Sequence, residues 1–132
     1  MEVIANLIHD VLPTTDQMNL EFVREYCLSK KGVTEDMPFD DEVLVFRIGG
    51  KIFALCDISN FESINLKCDP ERAIELREQF NGITPGYHMN KKHWNTVASR
   101  GDVPDNLFLE LIDHSYTLVF QSLTKKQRDE LK

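Results

Sequence analysis

Apolar residues recur at helical spacing in the first stretch of the chain. The series is Val3, Ile4, Leu7, Ile8, Val11 and Leu12. Apolar residues three and four apart share one face of a helix, and Pro13 cannot continue a helix. The pattern predicts an amphipathic helical extension over residues 1–17, followed by a domain over residues 18–132.

Capping residues predict helices further along the chain. Asn19 is suited to cap a helix that runs to about Ser29. Asp69, followed directly by Pro70, is typical of a helix start, and Gly82 ends that helix. After Pro104, apolar residues at helical spacing predict a long amphipathic helix through residue 123. A capping box, Thr124 with Gln127, then opens a basic terminal helix.

Runs of strand-forming residues predict two β-hairpins. Residues 43–48 and 52–58 are rich in β-formers and are joined by Gly49-Gly50, a pair suited to a tight turn. Residues 63–68 follow as a third strand and complete a meander. Residues 86–90 and 93–98 are expected to form a second hairpin, with a polar turn around Lys91. The fold class predicted is α+β, an antiparallel sheet with two hairpins packed against helices.

Composition narrows the class of protein. The chain has 132 residues, 42% of them hydrophobic, and a net charge of −7. No apolar run approaches a membrane span, and the N-terminus lacks the pattern of a secretory signal, so the cytoplasm is the expected location. Cys27, Cys56 and Cys68 are widely spaced with no CxxC, which favours reduced core thiols over disulfides or zinc ligands.

One window departs from the overall acidity. Residues 79–101 contain Lys91, Lys92 and Arg100 but no Asp or Glu, giving a local charge of +3. The window also holds Trp94, the only tryptophan. A local basic surface favours an anionic partner, whereas the acidic whole argues against coating nucleic acid non-specifically. A structural alternative stays open, in which Trp94 and Tyr87 fill the core and the lysines solvate a turn.

The sequence offers little support for a metal site or an enzyme. His88 and His93 have no further His or Cys nearby in sequence. The acidic run within residues 35–42 lacks the spacing of a calcium loop, so we expect it to form a solvated loop ahead of the first hairpin. Cys68 and Asp69 suggest a nucleophile pair only weakly, because Asp69 is already assigned as a helix cap. Phosphate-loop, nucleophile-elbow and HExxH motifs are also missing. We therefore expect a non-enzymatic protein without a cofactor or metal.

Several sequence blocks resemble one known family. They are Met37-Pro38-Phe39, Val45-Phe46, Gly49-Gly50-Lys51-Ile52-Phe53-Ala54-Leu55, Asn65-Leu66-Lys67-Cys68-Asp69-Pro70, Pro85-Gly86-Tyr87-His88-Met89-Asn90-Lys91-Lys92-His93-Trp94, Ser115-Tyr116 and Lys125-Lys126. On these residues the chain resembles the bacterial MmcQ/YjbR-like family over roughly residues 18–131. The resemblance implies a small fold similar to the double-wing and frataxin-like arrangements. It also implies DNA binding, the label commonly given to the family. Such proteins typically begin near Met18, so residues 1–17 depart from the pattern.

Together, charge and resemblance suggest nucleic acid, with DNA favoured, as the partner of the hairpin surface. The expected contacts are Lys67, His88, Asn90, Lys91, Lys92, Trp94, Asn95 and Arg100. Basic side chains would neutralise phosphates, while amides and the indole would contact bases. The alternative is a protein-interaction or small anionic-ligand module that uses the same surface, and the N-terminal helix is a further candidate for binding a protein partner.

Overall fold

The computed structural model of the chain describes residues 18–86 and 89–131. Its elements are α1 (Leu20–Leu28), β1 (Val33–Asp36), β2 (Val43–Ile48), β3 (Lys51–Asp57), β4 (Ser63–Lys67), α2 (Pro70–Gln79), β5 (Ile83–Pro85), β6 (Trp94–Ala98), α3 (Asp105–Ser122) and α4 (Lys125–Asp129). The predicted helix within residues 1–17 and the predicted contact His88 lie outside the described residues.

Within the described residues the strands form one antiparallel sheet in the order β1-β2-β3-β4-β6-β5. The hairpin β2–β3 and the hairpin β5–β6 are joined through β4, which pairs with β3 on one side and with β6 on the other. Helix α3 packs against β3 and β4. The α+β class and the two-hairpin sheet packed against helices are therefore confirmed.

Local signals place the turns and helix ends. Gly49 and Gly50 have φ values of 57° and 81°, the left-handed region that the tight β2–β3 turn requires. The side chains of Asn19 and Asp69 accept hydrogen bonds from the first turns of α1 and α2. Thr124 forms the expected capping box at α4. These cap predictions are confirmed.

Two strand predictions need correction. The first strand of the second hairpin is β5, Ile83–Pro85, whereas Gly86, Met89 and Asn90 lie outside any strand. Proline is tolerated in β5 because it is an edge strand. The acidic run was expected to be entirely loop, but Glu35 and Asp36 belong to β1. Pairing with β2, together with ion pairs from Arg24 and Arg47, allows this acidic segment to form a strand.

The core lies between the sheet and the helices. Its largest fully buried side chains include Phe46, Phe53 and Phe108. All three cysteines are buried and free, as expected. Burial raises the pKa of Cys56 to about 12 and that of Cys68 to about 11, because a thiolate is poorly solvated in the interior. Neither environment supports a reactive thiolate.

Candidate nucleic-acid interface

Antiparallel pairing collects lysines at one end of the sheet. Strands β2 and β4 finish at this end, whereas β1, β3 and β6 start there. We define the basic end by the lysines on these strand ends and turns, which are Lys31, Lys51, Lys67, Lys91 and Lys92. All but the half-buried Lys67 are exposed. The only acid on these strand ends and turns, within the described residues, is Asp69, whose side chain caps α2.

The opposite end of the sheet is acidic. We define the acidic end by the carboxylates on its strand ends and loops, which are Asp36, Asp40, Asp41, Glu42, Asp57, Glu62 and Asp102. Hydrogen bonds from Ser59 and Asn60 lower the pKa of Asp57, and backbone N–H groups of Asn81 and Gly82 lower that of Asp102. The lowered pKa keeps Asp57 and Asp102 ionised at neutral pH. With lysines at one end and carboxylates at the other, the sheet is polarised along its strands.

The lysine pair lies in a built turn between β5 and β6. The Asn90 carbonyl accepts hydrogen bonds from the backbone N–H groups of His93 at 3.1 Å and Trp94 at 3.0 Å. The Asn90 side-chain oxygen accepts from the N–H of Lys92 at 2.9 Å, which closes an Asx turn. Asn90 thus holds the turn through these bonds, while the Lys91 and Lys92 side chains point into solvent.

Arg77 on α2 connects the helix to this turn. Its Nε donates to the side-chain oxygen of Asn95 at 2.7 Å, and its Nη2 donates to the Lys91 carbonyl and, at 3.4 Å, to the Trp94 carbonyl. Sequence reasoning missed Arg77, because no local pattern links a helix residue to a turn more than ten positions away. The arginine fixes the backbone from which Lys91 projects.

Asn95 is not a surface contact, contrary to the sequence prediction. The residue is only 2% exposed, and its side-chain nitrogen also donates to the Ala73 carbonyl of α2 at 3.5 Å. Alternation along β6 puts Asn95 on the face opposite Trp94. A residue enclosed between the sheet and α2 cannot reach a base edge, so Asn95 supports the site only through Arg77.

Trp94 and Lys67 are direct cross-strand neighbours on β6 and β4. Both residues are half-buried, and they lie side by side on one face of the sheet at the basic end. Gly86 lies directly against the tryptophan: a β-carbon added at Gly86 would lie 2.7 Å from the Trp94 Cβ. The Gly86 N–H also donates to the Trp94 carbonyl at 2.8 Å, which fixes the backbone at the base of the turn.

Arg100 lies apart from the lysines. It follows the far end of β6, so the length of that strand, about 17 Å at 3.4 Å per residue, separates it from the β5–β6 turn. It lines an open depression of about 420 Å³ with Phe61 and Glu62 at the acidic end. The structure therefore brings together Lys67, Asn90, Lys91, Lys92 and Trp94, but not Arg100.

Ser115 of α3 secures the end of β4 next to Lys67. Its fully buried hydroxyl donates to the Phe53 carbonyl at 2.5 Å and accepts from the Lys67 N–H at 2.9 Å. These two backbone groups lie on facing strands, and the hydroxyl takes the place of a direct ladder bond between them. Ser115 was noted only as part of a family block, and its role required the tertiary structure.

Two further polar groups near the basic end are already engaged. Lys30 forms an ion pair with Asp113, and its ammonium lies 4.8 Å from the ring centroid of Tyr26. His114 accepts a hydrogen bond from the Asp69 N–H at 3.2 Å, and burial followed by the charge of Arg72 lowers its pKa. Neither group is arranged to meet an external anion.

Within residues 18–86 and 89–131, His, Cys, Asp and Glu side chains do not come together in groups of three or more suited to a metal ion. None of the helices in those ranges combines the length and apolarity needed to cross a bilayer.

Comparison with known proteins identifies relatives along most of the chain. The family model described as YjbR matches residues 28–118. The uncharacterised protein YbdF of Escherichia coli O157:H7 is 40% identical over 96 residues, covering 72% of this chain and 79% of YbdF. The uncharacterised protein YjbR of Escherichia coli K12 is 30% identical over 112 residues, covering 84% of this chain and 95% of YjbR.

Solved structures share the fold. A crystal structure of a Deinococcus radiodurans protein superposes with a TM-score of 0.81 at 42% identity, covering 89% of this chain and 91% of that one. A crystal structure of a Pseudomonas syringae protein superposes with a TM-score of 0.65 at 32% identity, covering 76% of this chain and 98% of that one. Neither similarity specifies a ligand.

Proposed function

The chain belongs to the YjbR family, and we propose that this member is a non-enzymatic cytoplasmic protein that binds nucleic acid, DNA in particular, at the basic end of its sheet. The observation that supports this proposal is the segregation of charge. Lysines from both hairpins meet at one end, while carboxylates occupy the other. A polarised sheet attracts a polyanion to one end and repels it from the other, despite the net charge of −7.

The contact set follows from this geometry. Lys51, Lys67, Lys91 and Lys92 neutralise phosphates, and Trp94 offers part of its indole for stacking on a base. Asn90 supports these contacts by holding the turn that carries Lys91 and Lys92. Four lysine contacts predict modest affinity with a strong dependence on salt.

The test is fluorescence anisotropy of labelled single- and double-stranded DNA across a salt series. The parent should bind, and Lys91→Ala/Lys92→Ala should weaken binding and lower the slope of log affinity against log salt by about one to two. Arg100→Ala, which removes a positive charge beyond the far end of β6, is the spatial control and should leave the slope nearly unchanged.

Two results would contradict the proposal. One is the absence of binding by the parent at low salt. The other is an Arg100→Ala variant that loses as much affinity per charge removed as the lysine variant, because binding would then follow overall charge and not the basic end. A Lys91→Arg/Lys92→Arg variant, which keeps both charges, should retain the parent's salt slope.

A second candidate function is a protein-interaction module, and one observation favours it. Phe39 is 66% exposed and Met37 36% exposed, in the β1–β2 loop that also carries Asp40, Asp41 and Glu42. Apolar side chains among carboxylates suit a basic protein surface with an apolar pocket. Affinity lost on Phe39→Ser in a partner-capture experiment, with DNA binding absent, would favour this function.

A further inference from the structure

We infer that the C-terminal helix α4 forms a second phosphate-contacting group, so that the ligand is a polyanion long enough to reach both α4 and the β5–β6 turn. This inference rests on the proposed function. From the sequence alone, the basic residues at the end of the chain favour solubility at a helix end, with an extension of the nucleic-acid surface as the alternative if they fold beside a hairpin. Their position in the fold gives them a specific relation to the basic end of the sheet.

Helix α4 is attached to the basic end through the β2–β3 turn. Leu123, the residue before the α4 cap, is only 4% exposed, and a β-carbon added at Gly49 would lie 2.7 Å from its Cδ2. Lys51 at the start of β3 donates to the carbonyl of Ser122 at 3.3 Å. The junction between α3 and α4 therefore contacts both sides of the hairpin turn.

The far end of α4 is attached as well. A β-carbon added at Gly32, just before β1, would lie 2.8 Å from the Leu131 Cδ2. Within the helix, Thr124 and Gln127 form both bonds of the capping box, at 3.1 and 2.9 Å. Contacts at both ends hold this short helix beside the strand ends that carry the lysines.

The α4 side chains available to an anion are Lys125 and Lys126. The Lys125 side chain is 85% exposed and pairs with Asp129 at 2.9 Å, and Lys126 is exposed. Exposed pairs of this kind are weak and readily screened, so Asp129 does not withhold Lys125 from a phosphate. Glu130 also lies at the end of α4 and limits the net positive charge there.

Strand spacing sets the size of the ligand. Strands β2 and β3, which touch the α3–α4 junction, lie three and two strand positions from β6, or roughly 10–14 Å at 4.8 Å per position. Phosphates recur about every 3.4 Å of axis along one strand of a duplex. About four nucleotides are therefore needed to contact both groups, and a single phosphate cannot do so.

The experiment compares Lys125→Ala/Lys126→Ala with Lys91→Ala/Lys92→Ala, each against a labelled dodecanucleotide and a dinucleotide. Either variant should lower the salt slope for the dodecanucleotide by about one to two, and the parent should bind the dodecanucleotide far more tightly than the dinucleotide. Lys125→Arg/Lys126→Arg should restore the parent slope. Circular dichroism and thermal melting would establish that each variant is folded.

The outcomes separate the two proposals. If Lys125→Ala/Lys126→Ala binds like the parent while Lys91→Ala/Lys92→Ala binds weakly, α4 has no part in binding and the inference is overturned, although the proposed function stands. Equal affinity for the dinucleotide and the dodecanucleotide would also overturn the inference. If the folded parent binds neither oligonucleotide, both proposals are wrong.

Discussion

Replacing Arg77 should destabilise the protein far more than replacing a second arginine on the same helix. In Arg77→Met the aliphatic stem is kept but the guanidinium is lost, so the Asn95 side-chain oxygen, on a residue only 2% exposed, loses its donor at 2.7 Å. A buried polar group without a partner costs about 1–3 kcal/mol. The Lys91 carbonyl also loses its bond to Nη2. We expect the free energy of unfolding to fall by about 2–4 kcal/mol.

Arg72→Met is the matched control. Arg72 also lies on α2, but its Nη2 pairs with Glu110 at 2.7 Å across side chains that are 33% and 52% exposed. Exposed pairs of this kind contribute about 0–1 kcal/mol. The control should therefore lose less than half of what Arg77→Met loses, even though both variants remove one guanidinium from the same helix.

Urea unfolding followed by circular dichroism measures both variants. A cycle with Asn95→Ala isolates the contact, and we expect a coupling free energy of about 1–2 kcal/mol between positions 77 and 95. Equal losses in Arg77→Met and Arg72→Met, or a coupling near zero, would refute the conclusion that Arg77 fixes the turn through Asn95.

Three further predictions concern the elements around the basic end. Ser115→Ala leaves the part-buried Lys67 N–H and the buried Phe53 carbonyl without their shared hydroxyl, so it should lower the free energy of unfolding by about 2–3 kcal/mol, against less than about 1 kcal/mol for Ser122→Ala at an exposed residue. Similar losses for the two variants in urea titrations would contradict this. Gly49→Ala should lower the melting temperature more than Gly50→Ala does, because both glycines have positive φ but only Gly49 faces Leu123. A larger effect at Gly50 would contradict a contact between Gly49 and Leu123. The pKa of His114 is lowered in the folded protein, so as pH falls the unfolded chain takes up this proton at a higher pH than the folded chain does. The contribution of His114 to the free energy of unfolding should therefore be complete above about pH 6.5 and decrease as pH falls below that value. His114→Gln should flatten the dependence of unfolding free energy on pH in that range, and an unchanged slope would count against this prediction.

Local chemistry was enough to predict much of the fold. The caps at Asn19, Asp69 and Thr124 and the Gly49-Gly50 turn depend on residues within a few positions of one another. Such signals can be read directly from sequence. The meander of β2, β3 and β4 was predicted for the same reason, since β2 and β3 are runs of β-formers and β4 alternates apolar with polar residues.

The elements that were missed depend on distant partners. Strand β1 consists of Val-Thr-Glu-Asp, which favours a loop until β2 and the arginines at positions 24 and 47 are in place. Strand β5 contains Pro85, which is acceptable only because the strand lies at the sheet edge. Neither fact can be known before the strand order is known.

The candidate site shows the same division. The exposed lysine turn followed from composition, whereas the burial of Asn95 and the distance to Arg100 followed from the sheet. Strand alternation alone places Trp94 and Asn95 on opposite sides of β6, so the two side chains cannot belong to one contact surface. Arg77 and Ser115 act through contacts between elements far apart in sequence, and no local pattern indicates those contacts.

The most direct test of the nucleic-acid proposal is a titration of ¹⁵N-labelled protein with a DNA oligonucleotide, followed by amide chemical shifts. The account predicts shifts concentrated at Lys51, Lys67 and the turn at Lys91–Lys92, which diminish as salt is raised. Amides at the acidic end, such as Asp57 and Asp102, should remain unchanged. Shifts centred on the acidic end, or no shifts at low salt, would contradict the claim that the basic end binds nucleic acid.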